Sequence, residues 1–334
     1  MIKIKKIIIM TFFMLLLICG ITLNNNIYAR SEKKVILGGD TIGLRLNTGI
    51  YVAGLYQVET NNGKISPWKN SDIKEGDKIV KYDGNNISTN NELLNLLKQE
   101  DDNNVKLTLI RDNETINTNI DVVITKNNYK SIGLYIKDKI QGIGTLTFID
   151  PNTSKFASLG HAIYDDNLVI GAQAGIISES SIEGIKKGIS GEAGEKRATL
   201  SNVILGTISS NKVTGVYGKV KNEKLLDGKL IETASQNEVK KGPAKIYTVI
   251  KNNTIESFDI KITGVLLQES TNVKGIKFEV VDKELLDKTG GIIQGMSGSP
   301  IVQNNKLVGA VSHVSIEEPN IGYGVHIEWM LNDL

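Results

Sequence analysis

Gly142-Ile143-Gly144-Thr145-Leu146-Thr147-Phe148-Ile149 is the stretch on which the fold turns, because it opens a long series of short β-rich segments. The glycines Gly171, Gly175, Gly184, Gly188, Gly191, Gly194, Gly206, Gly215 and Gly218 punctuate that series, and no helical period is sustained through it. Short strands with frequent turn signals predict a sandwich or barrel over residues 130–334. Residues 279–286 read equally as strand or helix, and residues 327–331 as a short terminal helix.

Toward the N-terminus, residues 35–125 read as a separate module. Ile42, Leu44 and Leu46, then Val52 onward, alternate with polar residues as half-buried strands do. Gly76-Asp77-Lys78-Ile79-Val80 leads into Tyr82-Asp83-Gly84-Asn85, where Asp-Gly signals a tight hairpin turn. Thr89 and Glu92 make a capping box, and Leu93, Leu94, Leu96 and Leu97 follow at helical spacing. Residues 105–110 and 116–124 return to the strand pattern, so the module is a small β-sandwich with one helix. Residues 76–87 and the capped helix resemble the PDZ pattern G-D-x-I-x-x-x-D-G-x-x-I. That resemblance places Thr41-Ile42-Gly43-Leu44 at the carboxylate-binding turn, with an open strand edge beginning at Leu44 that a peptide ligand joins.

The first thirty residues stand apart from both modules. Lys3, Lys5 and Lys6 precede a nearly all-apolar run over residues 7–23, the layout of an export signal. Its length fits either a cleaved signal peptide or a retained N-terminal membrane anchor. Setting aside Lys3, Lys5, Lys6 and Arg30 leaves 35 basic against 37 acidic side chains, a formal charge of −2 that excludes a basic nucleic-acid footprint. At 40% hydrophobic and 23% charged residues the chain is globular in composition, neither disordered nor multi-spanning. The only cysteine, Cys19, lies in the apolar run, so the exported body has no disulfide, no cysteine-ligated zinc and no thiol nucleophile. With three histidines in the chain, a histidine-rich metal cluster is not expected either.

Two segments carry chemistry. Gly295-Met296-Ser297-Gly298-Ser299-Pro300 sets a serine in a glycine-flanked turn, with the backbone N–H groups of Gly295 and Ser297 placed to converge on a carbonyl oxygen. Read alone, the hexapeptide fits a plain glycine-serine turn equally well. A serine hydroxyl needs a neutral imidazole to take its proton. His161, in Ser158-Leu159-Gly160-His161, follows a glycine at the end of a β-rich stretch and is the preferred base, whereas His313 and His326 lie in apolar strands where a satisfied structural role is expected. No metal or organic cofactor is required for this chemistry.

Residues 145–151, 158–163, 289–300 and 322–331, taken together and in order, resemble the stage IV sporulation protein B (SpoIVB) peptidases. The resemblance runs over nearly the whole exported chain, including the signal segment and the PDZ module. It implies a serine endopeptidase with a trypsin/chymotrypsin-like double β-barrel, in which Ser297 is the nucleophile, His161 the general base and Asp282 the third member orienting the imidazole. Asp165, Asp166 or Asp259 in that role, or no acid at all, are the alternatives. It further implies export across the forespore inner membrane to the intermembrane space, cleavage of exposed segments of membrane-anchored sporulation proteins, signalling toward pro-sigma-K activation, and self-cleavage. The competing readings are a catalytically inactive PDZ scaffold and an HtrA-type protease. The order of the two modules counts against the second.

Overall fold

Two long antiparallel strands organise the molecule, Thr41–Leu55 and Leu134–Ile149, whose register runs from Leu134 opposite Leu55 to Thr145 opposite Thr41. The computed structural model describes residues 33–165, 168–169 and 174–334, with the backbone alone over 165–174. The expected signal segment, Asp166 and the Asp165 side chain lie outside the described residues. Residues 34–334 form one compact unit that is predominantly strand.

The barrel half of those two strands belongs to a closed circuit of six antiparallel strands: Thr41–Leu55, Leu134–Ile149, Lys155–Ser158, Gly215–Val220, Glu195–Lys212, Ala174–Lys186 and back to Thr41–Leu55. Ile42, Leu44, Leu146, Phe156, Ile177 and Val216 fill it. A second closed circuit of six runs through Gly242–Val249, Ile255–Val265, Ile276–Val280, Ile321–His326, Lys306–Val314 and Pro300–Gln303, around Ile246, Phe258, Ile262, Phe278, Met296 and Ile301. Closure removes the exposed edges that open sheets must protect. Each large apolar side chain fully buried in these cores contributes about 1.5–3 kcal/mol.

Between the barrels, Lys34–Leu37 pairs with Phe148 and Ile149 of the first and with Leu230–Thr233, which in turn runs parallel to Lys306–Val314 of the second. Val35, Phe148, Tyr217, Leu307 and the terminal helix residues Ile327 and Met330 pack together there. Residues 34–47 belong by their pairing to the barrels, and the first module is carried between the outer halves of two strands that continue into the first barrel.

That module has Ile50, Val52, Ile79, Leu93, Leu97 and Leu107 at its centre. Asp83 and Gly84 both take positive φ (44° and 79°), the tight hairpin turn expected from Asp-Gly. The helix Asn90–Gln99 starts at the predicted capping box, with the Thr89 side chain accepting from the Glu92 amide. Leu93 and Leu97 enter the core, and Leu94 faces water. Asp77, fully buried, accepts two charge-assisted bonds from Arg111 at 2.6 and 2.7 Å. The ambiguous stretch at 279–286 divides into the end of strand Ile276–Val280 and the start of helix Lys283–Thr289, and the terminal helix spans Ile327–Asp333.

Candidate active site

The Ser297 turn connects helix Lys283–Thr289 to strand Pro300–Gln303, and two glycines give it its shape. Gly295 and Gly298 sit at φ 92° and 91°, a region that costs residues with a Cβ. At Gly298 the packing is as restrictive as the torsion, since a Cβ there would lie 2.1 Å from the Thr145 carbonyl oxygen and 2.4 Å from the Leu159 nitrogen. The Gly298 amide donates to the Val311 carbonyl at 2.7 Å, and the Met296 side chain anchors the turn in the second barrel's core. Thr145 holds it from the first barrel: its amide donates to the Ser297 carbonyl and its hydroxyl to the Gly295 carbonyl, each at 2.9 Å. The Thr147 hydroxyl donates to the Gly298 carbonyl at 2.8 Å. With these bonds made, neither the Gly295 nor the Ser297 amide has an acceptor among the described residues.

His161 approaches from the other barrel. After strand Lys155–Ser158, Leu159 and Gly160 adopt consecutive left-handed conformations (φ 72° and 67°) and turn the chain toward Ser297. A non-glycine residue in this region is uncommon and marks a conformation held by its surroundings. Here Leu159 is locked in the first barrel's core. The His161 Nδ1–H donates to the Ala162 carbonyl at 2.7 Å, which fixes the tautomer and leaves the Nε2 lone pair to accept from Ser297 Oγ at 2.9 Å. Burial holds the His161 pKa below its usual 6.5. The imidazole is neutral at neutral pH, the form that can take a proton from serine.

Asp282, expected as the third member of the site, is not brought to His161. One of its oxygens accepts from the Leu285 amide at 3.0 Å as the N-cap of helix Lys283–Thr289, and the other accepts from the Asp259 amide at 3.2 Å. The physical reason is local, because a carboxylate before a short helix satisfies its first amides. Asp259 forms a surface ion pair with Lys245 at 2.6 Å. Asp165 and Asp166 fall outside the described side chains.

The other ring beside His161 is His313, 5.5 Å away between centroids and tilted by 51°. Its Nδ1 has no partner among the described residues, contrary to the satisfied structural role expected of it. Burial, the His161 ring and the Lys274 charge push its pKa down to about 4, so it stays neutral. His326 is fully buried with Nε2 against the Leu266 carbonyl at 3.0 Å. Sequence reasoning also missed Thr145 and Thr147, although Thr-x-Thr in a strand puts both hydroxyls on one face. No group of three His, Cys, Asp or Glu side chains suited to a metal ion occurs among the described residues.

Thr41-Ile42-Gly43-Leu44 does not form the carboxylate-binding turn expected of it. These residues lie mid-strand, opposite Thr145, Gly144, Ile143 and Gly142 on one side, while Ile42, Gly43 and Leu44 face Glu179, Ser178 and Ile177 on the other. The edge proposed for a peptide is filled twice over by the chain itself.

Comparison with known proteins places the two modules in families. Residues 127–331 match the family model of the SpoIVB peptidase S55 and residues 37–122 that of the PDZ domain. No curated protein matches the chain. Among solved structures, the PDZ domain of the SdrC-like protein from Listeria monocytogenes is 20% identical, covering 27% of this chain and 87% of that one (TM-score 0.22). The active form of the Rv3671c protease from M. tuberculosis is 11% identical over 58% of this chain and 72% of that one (TM-score 0.33).

Proposed function

The chain belongs to the SpoIVB peptidase S55 family and is a serine peptidase of proteins or peptides, and on that premise we propose that Ser297 is its nucleophile and His161 its general base. The observation that carries this reading is the 2.9 Å contact from Ser297 Oγ to the one nitrogen of His161 left free by the Ala162 carbonyl. As Ser297 Oγ bonds to the substrate carbonyl carbon, its proton passes to His161 Nε2, and the carbonyl oxygen takes up the negative charge. The Gly295 and Ser297 amides, without acceptors in the free enzyme, donate to that oxygen. The imidazolium then gives its proton to the leaving amine, and water repeats the sequence on the acyl-enzyme. The Ala162 carbonyl takes the orienting role of an acid by accepting the Nδ1–H throughout.

The family resemblance supports the biological setting. The enzyme is exported across the forespore inner membrane, cuts exposed segments of membrane-anchored sporulation proteins in the intermembrane space, cleaves itself, and signals toward pro-sigma-K activation. Self-cleavage of the purified full chain, wild type beside Ser297→Ala and His161→Ala, with the fragments read by mass spectrometry, tests the chemistry. Fragments are expected from the wild type alone. Wild-type processing by Ser297→Ala would overturn the serine mechanism.

A further inference from the structure

Lys196 is a buried cation that the chemistry above leaves unused. Its side chain is almost wholly enclosed, yet no carboxylate among the described residues stands against it. Its Nζ donates instead to two threonine hydroxyls, Thr248 Oγ1 at 2.8 Å and Thr41 Oγ1 at 3.2 Å. A buried ammonium without a counter-charge is expensive, so its retention calls for a reason beyond packing.

The backbone around Lys196 supplies one. The Gln294 amide donates to the Gly194 carbonyl and the Lys196 amide to the Gln294 carbonyl, both at 2.9 Å, a parallel bridge between Glu195 and Gln294. The Gln294 carbonyl and the Gly295 N–H belong to one planar trans peptide and point in opposite directions. Holding the carbonyl from one side therefore aims the N–H at the other, where the oxyanion would form. The stem of Lys196 closes the same face, since a Cβ on Gly295 would meet its Cδ at 3.0 Å and its Cβ and Cγ at 3.2 Å.

We propose that Lys196 is a positioning residue of the oxyanion site: its amide fixes the peptide that carries the Gly295 N–H, and its stem, tethered through the amine to Thr41 and Thr248, braces that peptide from behind. The inference rests on the reading of Ser297 as nucleophile and of the Gly295 amide as an oxyanion donor. It joins the two barrels at the site, because Thr41 belongs to the first and Thr248 to the second.

Burial alone brings the amine down to about 7. The strands that carry Thr41 and Thr248 and the strand paired with that of Lys196 hold Arg45, Lys245, Tyr247, Glu179, Glu183 and Lys186, none of which bonds to the amine. Asp40 precedes Thr41 and its carboxyl is raised by burial, Glu195 and Arg197 pair with each other at the surface, and the turn from Ile293 to Ser297 carries no titratable group. The charge-assisted tether is complete below about pH 7 and weakens as the amine loses its proton above it.

A fluorophosphonate probe reads this site without requiring a known substrate. Ser297 Oγ bonds to phosphorus, fluoride leaves, the serine proton passes to His161, and the phosphoryl oxygen occupies the oxyanion position. On the full chain, label is expected at Ser297 by mass spectrometry. Lys196→Met, which keeps the stem and the amide but not the amine, should lower the saturating inactivation rate about tenfold with the probe's half-saturating concentration within twofold. Loss of a contact made mainly with the developing oxyanion has that signature. The gap to wild type should narrow above about pH 7. Thr248→Val, which leaves Lys196 intact, should give a smaller fall of about threefold. Wild-type rates in both variants would overturn the proposal while leaving the serine reading intact. Absence of label on Ser297 in the wild type would remove the reading and the proposal together.

Discussion

Two short glycine-bearing segments, Thr41-Ile42-Gly43-Leu44 and Gly295-Met296-Ser297-Gly298, both read as places where backbone amides meet a ligand, and the folded chain treats them oppositely. In the first, strands on both sides take up the backbone. In the second, the carbonyls of Gly295, Ser297 and Gly298 are held by Thr145 and Thr147 while the amides of Gly295 and Ser297 are left without acceptors. A glycine turn becomes a binding site only when its donors are spared by the surrounding ladder, and what spares them is tertiary. The amides of Gly295 and Ser297 stay without acceptors while a strand from the other barrel satisfies the carbonyls instead.

The sharpest way to break this contrast is at the glycines. Gly298→Ala should destabilise the protein by about 3 kcal/mol, from a positive φ together with a Cβ forced against the Thr145 carbonyl and the Leu159 backbone. Urea unfolding measures it, and loss of cleavage should accompany it because the same clash separates the turn from the His161 loop. Gly43→Ala tests the other segment. A Cβ there would meet the Leu200 side chain at 2.3 Å and Ser178 Oγ at 2.9 Å, so the barrel should lose about 1–3 kcal/mol. Were Gly43 in an open carboxylate turn, the unfolding midpoint would not move.

Much of this was legible beforehand because it is local. Thr89 and Glu92 fix a helix start through two bonds three residues apart, and Asp83-Gly84 fixes a hairpin through two positive φ values. Ser297 and His161 were nameable from their turns, yet their meeting is long-range: 136 residues separate them. The boundary near residue 47 was not legible, since Thr41–Leu55 has one alternating pattern throughout and only its partners change from barrel to module. Excising residues 35–125 would thus take a barrel strand with the module. Asp282 was named from the family resemblance, whereas its place before Lys283-Glu284-Leu285-Leu286 is an N-cap signature that the residues themselves carry.

The base offers a test of the site's electrostatics. A carboxylate beside a histidine raises its pKa, whereas burial against a neutral carbonyl lowers it. His161 has the second environment among the described residues, with Nδ1–H on Ala162. The acid limb of kcat/KM should therefore fall below pH 6.5, with activity full above it and dropping about tenfold per pH unit beneath the His161 pKa. A limb above pH 7 would point to a carboxylate on Nδ1 and give the site a third acid after all.

The smallest expected effect separates capping from catalysis at Asp282. Its two oxygens serve the amides of Leu285 and Asp259, so Asp282→Ala should cost about 1 kcal/mol of stability through the lost N-cap. Asp282→Asn, which keeps an accepting oxygen, should recover most of it. Neither change alters what His161 Nδ1 meets, so kcat and the acid limb should stay within twofold of wild type in both. A catalytic carboxylate behaves differently, because replacing it with the amide loses the charge that stabilises the imidazolium and permits the wrong tautomer, and activity then falls by several orders of magnitude while stability barely changes. The two roles thus predict opposite pairings of stability and rate for the same pair of substitutions, and unfolding beside cleavage kinetics on Asp282→Ala and Asp282→Asn decides between them.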